Sequence, residues 1–81
     1  MTVKALIFCK IFHSSTKRVV EQFNQISEIR KVFSLTGDYD ILCEVQVENT
    51  EMLYKVFSEK IDPIEGIAKT NTHVIMKSWE K

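Results

Sequence analysis

Residues 39–47, Tyr-Asp-Ile-Leu-Cys-Glu-Val-Gln-Val, set Tyr39, Ile41, Cys43, Val45 and Val47 on one side and Asp40, Leu42, Glu44 and Gln46 on the other. Successive side chains of a strand point to opposite faces, so this alternation predicts a strand buried on one face against another layer. Residues 29–35 form a second run of good β-formers, with Ile29, Val32 and Phe33 in imperfect alternation. Between the two runs stands Thr36-Gly37-Asp38, where glycine takes a positive φ at least cost, and a hairpin is expected there.

The flanks repeat one pattern on either side of that hairpin. Residues 3–12 alternate Val3, Ala5, Ile7, Cys9 and Ile11 against Lys4, Leu6, Phe8, Lys10 and Phe12. Ser14 or Ser15 can cap a helix over 16–26 whose apolar stripe is Val19, Val20, Phe23 and Ile26. After the hairpin, Asn49 is a suitable N-cap for a helix through Ile61, with Leu53, Val56, Phe57 and Ile61 on one side and Asp62-Pro63 as its exit. A last strand is expected over 70–79, with Thr70, Thr72, Val74, Met76 and Ser78 opposite Asn71, His73, Ile75, Lys77 and Trp79. The order β-α-β-β-α-β predicts a single α+β domain over 1–81 on the ferredoxin-like plan, a four-stranded antiparallel sheet with both helices on one face. One greasy face suffices to pack against helices. Leu6, Phe8 and Phe12 on the other face therefore predict a surface covered by a second subunit.

Eleven basic residues balance eleven acidic ones, which argues against direct nucleic-acid binding, since that needs a concentrated positive surface. The apolar run near the N-terminus is broken at Lys10, so neither a signal peptide nor a membrane span is expected, and a cytoplasmic location follows by default. Gly37 and Gly66 fall in no phosphate-cradling pattern. Cys9 and Cys43 make no C-x-x-C pair and are expected to pack as small apolar residues on the helix-facing side; with His13 and His73 they lack metal-ligand spacing, so neither metal nor cofactor is predicted. A general-base reading would need His13 or His73 beside Asp38 or Asp40, a geometry that nothing in the sequence supports, so no catalytic residue is assigned.

The two aspartates suit recognition better. Asp38 in the turn can bond neighbouring backbone N–H groups, whereas the Asp40 carboxylate can accept from a ligand ammonium or from the backbone of a partner. The hydroxyls of Thr70 and Thr72 share one face of the last strand and can meet a carboxylate or amide. A small zwitterion at a subunit junction is one reading of this set.

Thr36-Gly37-Asp38-Tyr39-Asp40 between strands two and three, with Gly66-Ile67 and Thr70-Asn71-Thr72 near the last strand, resembles the effector-binding domain of the Lrp/AsnC transcription regulators, over residues 3–78. That resemblance implies a ferredoxin-like fold, sheet-to-sheet pairing into a dimeric α/β-barrel, assembly into larger rings, and an amino-acid effector between dimers. It assigns Gly37 to the family turn, Asp38 and Tyr39 to positions beside the pocket, Asp40 to the acceptor of the effector amino group, and Thr70 and Thr72 to polar pocket positions. The helix-turn-helix domain of full-length members has no counterpart in these 81 residues, so a stand-alone module is expected, one that senses an amino acid, assembles with a full-length regulator, or both. Two other readings are a purely structural interaction module and a small dimeric enzyme, and the fold alone does not choose among them.

Overall fold

The computed structural model describes residues 2–81 and places four strands and two helices in the order expected: β1 Val3–Ile11, α1 Thr16–Phe23, β2 Ile29–Ser34, β3 Ile41–Val47, α2 Thr50–Val56 and β4 Ile67–Val74. The strands form one antiparallel sheet in the order β2-β3-β1-β4, which leaves β2 and β4 at the edges. This is the ferredoxin-like α+β fold.

One side of the sheet carries the core. Ala5, Ile7 and Cys9 of β1 and Ile41, Cys43 and Val45 of β3 are wholly buried, and they meet Val19 and Phe23 of α1 and Leu53 and Val56 of α2. Both helices therefore cover the same face, because each has one apolar stripe and the two central strands have one fully apolar side. Cys9 and Cys43 sit in this layer as free thiols. Its hydrogen bond with Cys9 and its burial push the Cys43 thiol up, so it stays protonated and packs as an apolar group.

Two bulges explain where the alternation slips. Ile29 pairs with Val45 but Lys31 pairs with Glu44, so Arg30 is an extra residue that lets both Ile29 and Val32 face the core. Lys10 pairs with Lys69 but Ile11 with Ile67, so Ala68 is the extra residue on β4. That pairing also corrects the position of the last strand, which begins at Ile67 and ends at Val74 instead of spanning 70–79. Ile67 is held opposite Ile11 and the strand is already paired before the run of alternation begins, whereas the pairing ends where the Ile75 N–H reaches the Lys4 carbonyl at 2.8 Å, one residue short of the start of β1 at Val3.

The helices are shorter than their stripes. α1 ends at Phe23, and the turn at residues 24–28 still brings Ile26 against the core. Ser15 occupies the N-cap of α1 but its side chain makes no capping bond, whereas Asn49 caps α2 by accepting from the Met52 N–H at 2.8 Å. From Phe57 to Ile61 the second helix widens into a π-helical turn, closed by the Asp62 N–H on the Phe57 carbonyl at 2.7 Å. Five residues in an α-helix rotate a side chain by roughly 140° from its starting face. The wider turn brings Ile61, five after Val56, back to the core, where it is wholly buried.

Candidate functional site

The turn between β2 and β3 is built from the backbone upward. Gly37 adopts φ +104°, the positive region that the sequence led one to expect. The Leu35 N–H bonds the Asp40 carbonyl at 2.9 Å, and the Asp40 N–H bonds the Cys9 carbonyl at 2.9 Å, so the turn is tied to β1 as well as to itself. The Asp40 carboxylate accepts from the Ile11 N–H through Oδ2 at 2.8 Å, satisfying an amide beside the β1–β4 bulge. The sequence reading assigned that carboxylate to a ligand; here one of its oxygens is already engaged by backbone.

Tyr39 departs from the predicted alternation. β3 begins only at Ile41, and the Tyr39 ring lies over the outer face, 5.7 Å from the Phe8 ring, with Asn71 Nδ2 donating to its hydroxyl at 3.3 Å. The chain bends at Asp38 and Asp40 before β3 begins, so Tyr39 is released from the face that Ile41 takes. His73 also packs edge-on against Phe8, with 5.6 Å between centroids.

Asp38 and Tyr39 line a recess of about 360 Å³ together with Lys10 and Lys69. The two lysines are direct partners across β1 and β4 and so project from the same face. Neither they nor Asp38 has an ion-pair partner among the described residues. A second recess of about 340 Å³, on the helix side, differs in this respect. Its Arg18 is paired with Glu65 at 3.5 Å and its Lys60 with Glu28 at 3.0 Å. The recess by Gly37 thus has both signs of charge to spare, two ammoniums and one carboxylate beside a phenol.

Thr70 and Thr72 lie elsewhere. Thr70 is in register with Cys9 and Thr72 with Ile7, both core-facing, so these hydroxyls are on the helix side of edge strand β4 while Lys69 and Asn71 are on the outer side. Thus the structure gathers Asp38 and Tyr39 with Lys10, Lys69 and Asn71, and does not gather the two threonines with them. Lys10 was visible in the sequence as the interruption of an apolar strand; Lys69 carried no signal, and Asn71, within the Thr70-Asn71-Thr72 segment, had no role of its own until pairing placed them opposite Lys10 and Phe8. Of the apolar outer-face candidates, Leu6 and Phe8 are half-buried within the chain, whereas Phe12, just past β1, is 61% exposed and Phe33, not singled out from the sequence, is 45% exposed.

The sheet topology and the helical layer define a small α+β domain of the ferredoxin-like class with a polar recess at its central turn. The family model described as the Lrp/AsnC ligand binding domain matches residues 4–81, and the chain belongs to that family. Over 75 residues it is 29% identical to the HTH-type transcriptional regulator FL11 of Pyrococcus furiosus, covering 93% of this chain and 49% of that protein. The chain thus spans about half the length of such curated relatives. Among solved structures, E. coli AsnC superposes with TM-score 0.90 at 21% identity over 94% of this chain and 52% of that one. The transcriptional regulator NMB0573 of Neisseria meningitidis, solved as a complex with L-Met, superposes with TM-score 0.90 at 15% identity, covering 98% of this chain and 53% of that one. No helix among the described residues is long and apolar enough to cross a membrane.

Proposed function

We propose that this chain is an amino-acid-sensing, oligomer-forming regulatory module that modulates transcription regulators of the Lrp/AsnC type. The observation that carries this reading is the recess at the Gly37 turn, where unpaired Lys10, Lys69 and Asp38 stand beside Tyr39 in a chain of a ligand-binding family. An amino acid is a zwitterion. It asks for one cation at its carboxylate and one anion at its ammonium, and charge-assisted hydrogen bonds make such a match both strong and directional. Asp38 takes the ammonium, and a lysine with the Tyr39 hydroxyl takes the carboxylate, while Asp40, outside the lining of the recess, holds the turn through the Ile11 N–H. Thr70 and Thr72, on the helix side of the same edge strand, reach a ligand that lies along the open edge of β4, where another subunit completes the cleft.

Assembly is supported by the outer sheet face. Phe33, Leu42 and Phe8 stand in one row across β2, β3 and β1, with Lys31, Glu44 and Leu6 in the next, an apolar strip bordered by charge. Pairing of two copies through Leu6, Phe8, Phe12 and Phe33 removes this strip from water. Binding of the effector shifts the regulator only through its differential affinity for the assembled states.

Calorimetric titration of the purified protein with each of the twenty amino acids, with molar mass by light scattering in the same buffer, tests both parts. Saturable binding by an oligomer is expected. A monomer at micromolar concentration removes the assembly, and a folded oligomer that binds none of the twenty leaves an interaction module without an effector.

A further inference from the structure

Lys10 and Lys69 face each other across β1 and β4 in direct register, on one face of the sheet. Like charges directly opposite in an antiparallel pair destabilise it, and natural strands relieve such a pair with a counter-charge. Here none is supplied from within. Among the described residues the ion pairs join Arg18 to Glu65 and Lys60 to Glu28, and Asp38, the carboxylate that shares the recess, pairs with neither lysine. Asp40, the other nearby acid, does not line the recess and turns one oxygen to the Ile11 N–H.

The wall of the recess is also set in advance. Tyr39 is held by the Asn71 amide at 3.3 Å and by the Phe8 ring, and its hydroxyl, accepting from Asn71, keeps its own proton to donate. Asp38 follows directly from Gly37, whose positive φ shapes the turn. The fixed inventory is therefore two ammoniums, one phenolic donor and one carboxylate.

A neutral amino acid uses one lysine and Asp38 and leaves the second lysine facing the first. A ligand with two carboxylates and one ammonium uses all three charges. We infer that the recess selects a dicarboxylic amino acid, glutamate or aspartate: Asp38 receives the ammonium, one lysine and the Tyr39 hydroxyl receive one carboxylate, and the other lysine receives the second. This rests on the amino-acid-sensing reading and adds the class of side chain to it.

The test is calorimetry on the full 81-residue chain with L-glutamate, L-aspartate, their amides L-glutamine and L-asparagine, L-methionine, and glutarate, which has both carboxylates and no ammonium. Glutamate or aspartate is expected to bind about tenfold or more tightly than its amide and than methionine, and the advantage is expected to shrink as salt rises. Glutarate is expected to bind more weakly than glutamate. At least one of Lys10→Met and Lys69→Met is expected to weaken glutamate more than glutamine and so erase most of the difference between them. Both variants, free of ligand, are expected to melt no lower than the parent protein, because each removes a like-charge contact. Glutamine or methionine binding as tightly as glutamate overturns the selectivity and leaves the sensor reading standing. Equal binding of glutarate and glutamate overturns the ammonium contact at Asp38. Loss of glutamine together with glutamate in both variants overturns the division of labour between the lysines, and no binding by any of the twenty amino acids overturns this inference and the sensor reading alike.

Discussion

Gly37 and Gly66 have nearly the same backbone, φ +104° and +108°, yet their surroundings differ. A Cβ at Gly37 would meet nothing within 4 Å, so substitution there costs only the strained conformation. A Cβ at Gly66 would fall 2.8 Å from Ser15 Cβ and 3.1 Å from Val19 Cγ2, against the start of α1. Gly37→Ala is expected to destabilise by about 1–2 kcal/mol and Gly66→Ala by about 1–3 kcal/mol more, read as urea midpoints at unchanged m. Equal midpoints would show that the contact at α1 relaxes freely. Asp40 admits a comparable test. Asp40→Ala leaves the Ile11 N–H beside the bulge without its acceptor and should cost about 1–3 kcal/mol, whereas Asp40→Asn keeps an oxygen in place and should cost less. If Asp40→Ala folds as stably as the parent, the bond to Ile11 is not what fixes the turn.

At the scale of elements, the two helices begin differently. Asn49 makes a side-chain cap on α2 and Ser15 makes none on α1, so Asn49→Ala should lower stability by about 0.5–2 kcal/mol, measured by thermal or urea unfolding. No change would mean that water replaces the cap at no cost. The second helix is also tied to the entry of β2 through Lys60 and Glu28 at 3.0 Å. The hydrogen bond from Lys60, reinforced by the backbone N–H of Glu28, holds the Glu28 carboxyl below its usual range. A carboxyl whose folded value lies below its unfolded one contributes stability that is fully present above the unfolded value and is lost as pH falls through the folded one. Glu28→Gln should therefore reduce stability near neutrality and narrow the gap to the parent protein as the pH drops below about 4, the ordinary glutamate range. A gap that stays constant from neutral to acid pH would rule out the ionised Glu28 as its source.

For the whole molecule, the exposed outer face is the feature that a single chain leaves unfinished. Phe33→Lys, on the exposed end of the apolar row, should shift the protein toward smaller species by light scattering while far-ultraviolet circular dichroism is unchanged. An unaltered molar mass would move the interface to another surface. Small cores of this size gain from such partners, because an 81-residue chain buries a smaller share of its surface than a larger domain does.

The order of the elements, the two central strands with their buried face, the glycine turn and the Asn49 cap were all legible in the sequence, since each depends on residues close together in the chain. Periodicity and turn chemistry are local properties. The bulges at Arg30 and Ala68, the early start of β4, the release of Tyr39 to the outer face and the meeting of Lys10 with Lys69 were not, because each is decided by which strand lies beside which and in what register. One residue of slip exchanges the faces of a strand. That is why Thr70 and Thr72 turned toward the helices while Lys69 and Asn71 came to the outer face, a choice made only when β4 paired with β1.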